Sequence, residues 1–367
     1  MYELTREKQD ELRALTTYKD AFFHDAREDC FRIYGLYEPY GGGRYCRIPE
    51  VVAEAASVKV AIRNYNTAGG RIRFKTDSQY LVIYMKGSCV KSLSFDLYIE
   101  DPKIAGGAPY SAFVQLLRIS GRYSENSFSG RVYLPEGEHS YTLNLPLLRG
   151  FEELYIGLSE GATLKEGVPY RNEKPIVFYG SSITQGVGAS RPGLSYNSIV
   201  CRRLNAHYVN LGFASAAKAE DVMIEYLASL DMCFFVQDYD HSAPSPEYLR
   251  ETHYKLYKRV RDAHPDIPIL MLSRPDFHFY NKKGVLRTED SVRRRDVVID
   301  TFRKAREEGD SRVWFIDGES FFAGPDECEC TVDGVHPSDI GMLKMADCVH
   351  RAMLRILREV PFLKDEG

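Results

Sequence analysis

From about Phe31 to Leu158 apolar residues alternate with polar ones over short runs, separated by Gly, Pro, Asn and Asp. A period of two is that of a strand with one buried face, and Gly or Pro between runs supplies the turns. Val58–Ile62, Arg71–Phe74, Tyr80–Tyr84, Ser94–Ile99 and Arg131–Leu134 read as strands, with turns at Gly69-Gly70, Gly106-Gly107 and Pro135-Glu136-Gly137. Many short strands without a long helix predict an all-β sandwich, jelly-roll-like in type. The opening stretch, Leu4 to His24, has a helical spacing of apolar residues.

After Pro175 the pattern changes. Apolar runs of five to seven residues alternate with segments whose apolar residues recur at three and four positions. Unbroken apolar runs suit strands buried on both faces. Such runs lie at Pro175–Tyr179, His207–Leu211, Met232–Gln237, Pro268–Leu272 and Arg312–Ile316. Between them, one helix is expected from Ser245, with Pro246 at its first position and an apolar face of Leu249, Leu256, Val260 and Ala263. The last helix carries Met342, Ala346, Val349, Met353 and Ile356 on one stripe. Repeated strand-then-helix units predict an α/β half, a parallel sheet covered by helices on both faces. The expected domains are therefore 1–160 and 175–367, parted where Gly161, Gly167 and Pro169 sit among charged residues.

Composition agrees with two folded domains. The chain has 367 residues, 44% hydrophobic and 27% charged, which excludes disorder as its main state. With 48 basic and 52 acidic residues the net charge is −4, so no nucleic-acid partner is expected. The eight cysteines are scattered rather than spaced as a disulfide framework, and buried thiols are expected. The start, MYELTREKQD, has no apolar core of a signal peptide and no long apolar run follows, so a cytoplasmic protein without a membrane partner is the expectation. A homo-oligomer stays open.

In an open parallel sheet, ligands bind at the carboxyl ends of the strands, where loops converge. The first strand of the second half runs into Gly180-Ser181-Ser182-Ile183-Thr184-Gln185-Gly186, the second into Gly212-Phe213-Ala214-Ser215 and the third into Asp238-Tyr239-Asp240-His241-Ser242. The fifth is followed by Asp333-Gly334-Val335-His336-Pro337. A serine hydroxyl needs a base to take its proton, and the base needs a carboxylate to fix its tautomer. Ser182, His336 and Asp333 supply these groups. The bland readings are a Gly-Ser-Ser turn that is only a loop or a phosphate cradle, and an Asp-x-x-His loop that only precedes a helix. Thr184 stands where the G-x-S-x-G elbow has its second glycine, so that motif is absent. Cys328-x-Cys330 lacks the second pair of a strong zinc signal, so neither metal nor cofactor is expected. Arg274-Pro275-Asp276 reads as structural, and Arg293-Arg294-Arg295 as a solvated helix face.

The block Val177–Gly186 resembles the opening motif of SGNH (GDSL-like) hydrolases, Asn210-Leu211-Gly212 their glycine block, and Asp333–Pro337 their D-x-x-H-P block. The β-rich half, with Phe95-Asp96-Leu97-Tyr98, is similar to the sandwich that precedes the hydrolase in one branch of that family. The resemblance implies a flavodoxin-like hydrolase domain with Ser182 as nucleophile, His336 as base and Asp333 as its orienting carboxylate. It also implies an oxyanion hole from the N–H groups of Ser182 and Gly212. The family's third donor, an asparagine after the third strand, has no counterpart in Asp238–Ser242. An ionised Asp240 would repel an oxyanion, so Ser242, His241 or a backbone N–H is expected to donate in its place, and Asp240, His241 and Ser242 are also candidates for substrate binding. Ser181 replaces the aspartate of the family's name-giving motif. The expected activity is a serine esterase removing small acyl groups, acetyl foremost, from a carbohydrate. A broad short-chain esterase or thioesterase, and a non-catalytic carbohydrate-binding protein that kept the fold, are the alternatives.

Overall fold

The computed structural model describes residues 4–87, 94–100, 112–118, 123–124, 126–281 and 283–364; Cys89 and the Gly106-Gly107 turn lie outside them. The chain divides into two compact units, neither of them one continuous stretch. Unit 1 takes Met1–Arg47, Tyr65–Pro169 and Arg191–Gly193; unit 2 takes Ile48–Asn64, Tyr170–Ser190 and Leu194–Gly367.

Unit 1 begins with α1 (Arg6–Thr16) and continues through β1 (Ala21–Asp25), β2 (Arg32–Tyr34), β3 (Arg71–Thr76), β4 (Tyr80–Lys86), β5 (Ser94–Ile99) and β6 (Ala112–Arg118). It ends with β7 (Tyr123–Ser124), β8 (Ser127–Tyr133), β9 (His139–Asn144), β10 (Glu153–Ser159) and β11 (Leu164–Glu166). One antiparallel sheet runs β1-β10-β4-β8-β7, the other β11-β3-β9-β5-β6 with β2 beside β3. Ile72, Phe74, Phe95, Leu97, Tyr141 and Leu143 of the second sheet share one buried core with Leu81, Ile83, Met85, Ile156 and Leu158 of the first. Two sheets closing on one core make the β-sandwich that the alternation predicts. The outer face of the first sheet, with Tyr80, Val82 and Tyr84, is covered by Leu12 of α1.

Two local expectations are corrected. The opening helix stops at Thr16, where Thr17 turns left-handed at φ 64°, and the chain reverses into β1. His24 is therefore a strand residue, paired with Ile156 of β10. Val58–Ile62 is not a strand but part of α3 (Val58–Asn64), which follows α2 (Glu50–Ala56). Its alternation misleads because Val58 and Ile62 are 76% and 64% exposed; only Val60 and Asn64, one helical turn apart, are buried.

Unit 2 holds a five-stranded parallel sheet in the order β13-β12-β14-β15-β16. These strands are β12 (Ile176–Gly180), β13 (Tyr208–Gly212), β14 (Phe234–Asp238), β15 (Ile269–Leu272) and β16 (Val313–Ile316). They alternate with α4 (Ser182–Gln185), α5 (Tyr196–Arg203), α6 (Asp221–Ser229), α7 (Pro246–Ala263), α8 (Thr288–Glu307) and α9 (Asp339–Glu359). Successive strand residues serve opposite faces. Val177, Tyr179, Phe235 and Met271 join a core with α2, α3, α6, α7 and α8, whereas Ile176, Phe178, Val236 and Leu270 join one with α5 and α9. This is the doubly wound, flavodoxin-like order, and its strand ends define the site.

Within unit 1 the Asp96 carboxylate is fully buried. It accepts from Asn144 Nδ2 at 2.7 Å, Gly193 N at 2.8 Å and Arg191 Nη1 at 2.9 Å. Arg191 also donates to the Tyr98 hydroxyl at 2.6 Å. Removing one partner of a buried pair strands the other, which costs about 3–5 kcal/mol. Asp96→Ala is expected to lower stability by that amount in urea unfolding, and Asp96→Asn by less; a loss below about 1 kcal/mol for the alanine variant would show that the clamp does not hold the fold.

Candidate active site

Gly180 ends β12 in register with Gly212 of β13 on one side and Asp238 of β14 on the other. The chain turns at once into α4, whose N-cap is Ser181; the Ser181 hydroxyl accepts from Ile183 N at 3.1 Å. Serine and aspartate are equivalent caps, which accounts for Ser181 at the position of the motif's aspartate. A Cβ on Gly180 would run into Thr184 and the Asp238 carbonyl, and one on Gly212 into the backbone of Gln185. Both glycines are therefore required by close packing of the strand ends against α4. Asn197 Nδ2 and Asn210 Nδ2 hold the Thr184 carbonyl at 2.7 and 2.9 Å, and the Gln185 side chain accepts from Ala214 N at 3.0 Å.

Ser182, the first residue of α4, presents its hydroxyl from this rigid turn. Its Oγ lies 3.0 Å from His336 Nε2, and His336 Nδ1 lies 2.8 Å from Asp333 Oδ2. The other Asp333 oxygen accepts from the N–H groups of His336 at 2.8 Å and Val335 at 3.1 Å, closing a tight turn in which Gly334 has φ 76°. Part-burial raises the affinity of Asp333 for a proton, but these hydrogen bonds prevail and hold its carboxyl below the ordinary value. An ionised carboxylate only accepts, so Nδ1 carries the imidazole proton and Nε2 is left to accept from Ser182. The residues of the loop are fixed from outside as well. Ser338 N donates to the Cys330 carbonyl at 2.9 Å, and the Ser338 side chain caps α9. Gly188, at φ 100°, passes so close to His336 and Pro337 that no side chain would fit.

The remaining sequence candidates separate. The Gly212 N–H donates to Asn210 Oδ1 at 2.9 Å, so its oxyanion role is corrected to a packing role. Three residues on, Ser215 adopts φ 56°, in the left-handed region, and its N–H makes no hydrogen bond among the described residues. No motif marked Ser215, since the signal is a backbone conformation. Asp240 is only 1% exposed and accepts from Arg274 N at 2.9 Å, which corrects its candidacy for substrate contact. His241 and Ser242 are half-buried on the same turn. Cys330 Sγ donates to the Asp326 carbonyl at 3.3 Å and Cys328 is exposed. Among the described residues no three His, Cys, Asp or Glu groups converge as metal ligands do, and no helix is long and apolar enough to cross a membrane.

Asp238 was not singled out by sequence. Its Oδ2 accepts from the hydroxyls of Thr184 and Tyr196, each at 2.7 Å, tying β14 to α4 and α5. Burial, with the charge of Asp240 nearby, pushes its carboxyl up to about 7 against the pull of those two hydroxyls. A carboxyl raised in the fold stays protonated while the unfolded one, near pKa ~3.9, has ionised, so stability falls as pH climbs between these values and then levels off. Asn at this position keeps the acceptor and removes the titration. Asp238→Asn is expected to gain in unfolding temperature relative to wild type as the pH is raised from about 4.5 to 8. An offset that does not change with pH would contradict the assignment.

Residues 173–354 match the GDSL-like Lipase/Acylhydrolase family, and residues 21–164 match the N-terminus of Esterase_SGNH_hydro-type, the GxDLY domain. No curated protein matches. A solved GDSL-like lipase from Bacteroides ovatus is 26% identical, with 94% of this chain and 100% of that one covered at a TM-score of 0.78. The salicylyl-acyltransferase SsfX3 of a tetracycline biosynthetic pathway is 20% identical, with coverages of 92% and 98% and a TM-score of 0.67. An acetyl xylan esterase, Est2A from Butyrivibrio proteoclasticus, is 13% identical over 92% and 99%, at a TM-score of 0.58. At these two lower identities the likeness is one of fold. With both of its regions matched in order, the chain belongs to the GDSL-like (SGNH) ester hydrolases, in the branch whose hydrolase domain follows a β-sandwich.

Proposed function

We propose that the protein is a serine esterase that removes small acyl groups, acetyl foremost, from carbohydrate esters. The observation that carries the reading is the unbroken chain of hydrogen bonds from Ser182 through His336 to Asp333. Ser182 Oγ attacks the ester carbonyl while His336 Nε2 takes its proton. The tetrahedral oxyanion is met by the N–H groups of Ser182 and Ser215. His336 then protonates the departing alcohol, leaving an acyl-serine. It next takes a proton from water, whose attack releases the acid and restores Ser182. Asp333 holds the imidazole in the needed tautomer and offsets the charge of the imidazolium.

The carbohydrate reading draws on the acetyl xylan esterase, which shares the fold across nearly all of both chains. The likeness to an acyltransferase, equally extensive, supports a second reading in which an alcohol rather than water resolves the acyl-serine. Both readings share the first half-reaction. A broad short-chain esterase or thioesterase differs only in the substrate accepted, whereas a purely carbohydrate-binding protein would form no acyl-serine.

Ser182→Ala and His336→Ala are expected to lower kcat on p-nitrophenyl acetate by at least about 10³ with unchanged unfolding midpoints. Fluorophosphonate labelling should be lost in the serine variant. Near-wild-type rates in either variant would remove the triad. Acetate release from acetylated xylo-oligosaccharides, compared with hydrolysis of butyrate and octanoate esters, tests the substrate. Faster turnover of octanoate would overturn the acetyl assignment.

A further inference from the structure

β14 lies beside β12 on the side opposite β13, so the turn that follows it emerges next to the turn that carries Ser182. This Asp240–Ser242 turn is pinned from two directions. Arg294 Nη1, from α8, donates to the carbonyls of Asp240 and Ala243 at 2.7 and 2.9 Å. The backbone N–H of Arg274, just past β15, donates to Asp240 Oδ2 at 2.9 Å. Two buried arginines thus fix a short turn whose middle residue is His241.

The surroundings of His241 constrain its proton. Nε2 lies 3.2 Å from Arg274 Nη2 and 3.3 Å from Asp276 Oδ2. Arg274 grips Asp276 in a two-pronged pair, with Nε on Oδ1 and Nη2 on Oδ2, and its Nη1 donates to Asp290 Oδ2 at 2.7 Å. A guanidinium is a permanent donor and never accepts. Its remaining Nη2 proton has His241 Nε2 within reach, whereas Asp276 Oδ2 already receives Arg274 and has Arg287 Nε 3.4 Å away. The Arg274 proton directed at Nε2 favours Nε2 as acceptor over donation to Asp276, which places the ring proton on Nδ1, an atom that makes no hydrogen bond among the described residues. The charges around the ring are Arg274, Arg287 and Arg294 against Asp240, Asp276 and Asp290. Burial and Arg274 together push the imidazole below its ordinary value, against the pull of Asp276 and Asp240.

We propose that His241 is a neutral hydrogen-bond donor of this active site, its Nδ1–H offered to the ester oxygen that gains charge when Ser182 attacks, with Arg274 the positioning residue that fixes its tautomer. The inference rests on the serine-esterase reading for its chemistry, though not for the tautomer. A neutral ring suits the task because it gives up no proton of its own to the oxyanion and brings no charge that would compete for Asp333. The turn that carries His241 follows β14 and Ser215 follows β13, the two strands that flank β12 and its Ser182 turn.

Two measurements test this. Loss of one oxyanion donor typically lowers kcat by about 10²–10³. His241→Ala should show that loss with little change in KM, and His241→Asn, which restores an N–H, should recover at least about tenfold of it. An alanine variant that keeps kcat within about twofold while Ser182→Ala is inactive would overturn the role and leave the esterase reading intact; activity in Ser182→Ala would instead sink the esterase reading. Independently of turnover, ¹⁵N-histidine NMR of the wild-type protein, with the signal assigned by its absence in His241→Asn, should show a neutral ring protonated at Nδ1 between about pH 7 and 8. A proton on Nε2, or an imidazolium over that range, would overturn the tautomer.

Discussion

The structure depends on one crowding constraint, the meeting of three strand ends with a single turn of helix. Gly180 must pass between Thr184 and the Asp238 carbonyl, and Gly212 must touch the backbone of Gln185. Methyl groups at either point would push α4 away from the sheet, and with it the Ser182 hydroxyl. Asparagines 197 and 210 then pull on the same Thr184 carbonyl, so α4 is held by contact on one side and hydrogen bonds on the other. A helix this short, Ser182–Gln185, has no intrinsic stability. Its order comes wholly from neighbours, and that rigidity lets a serine and a histidine 154 positions apart meet at 3.0 Å.

Much of this was legible in the sequence. Continuous apolar runs marked the five parallel strands because both faces are buried, and their residues do alternate between two cores. The meeting of Ser182, His336 and Asp333 was foreseen from position, because Ser182 follows the end of β12 and the Asp333–His336 loop precedes α9, and a parallel sheet gathers such turns on one edge. Hidden were features whose sign is not a residue type. Val58-Lys59-Val60-Ala61-Ile62 alternates as a strand would, yet forms a helix with one buried stripe, a tertiary choice that the local pattern does not reveal. Gly212 looked like a donor because glycine blocks often are; only the side chain of Asn210, two residues earlier, decides that its N–H is engaged. Asp238 was silent because a carboxylate at a strand end resembles any loop acid until its burial and two hydroxyl partners are known.

The sheet edge where Ser182 meets His336 also concentrates buried charge. Arg274, Arg294, Asp240 and Asp276 are each no more than 6% exposed. Pairs of this kind seldom add net stability over an apolar core, since desolvation offsets attraction. Their yield is orientation. Each arginine spans two segments, so the turns after β14 and β15 keep their relative register without any regular secondary structure.

The discontinuity of unit 2 has a consequence for how the chain is made. Helices α2 and α3 end at Asn64, but α6, with which they share a core, begins only at Asp221. At about 5–20 residues per second, a ribosome leaves that early helix pair waiting on the order of ten seconds for the surface it covers. During this interval the sandwich strands are synthesised around it, and Ala53 and Val60, buried in the finished protein, are exposed on the nascent chain. The hydrolase half therefore cannot complete its folding one domain at a time from the N-terminus: its first helices are translated ahead of its first strand, and biosynthesis must keep them from misplaced partners until the sheet arrives.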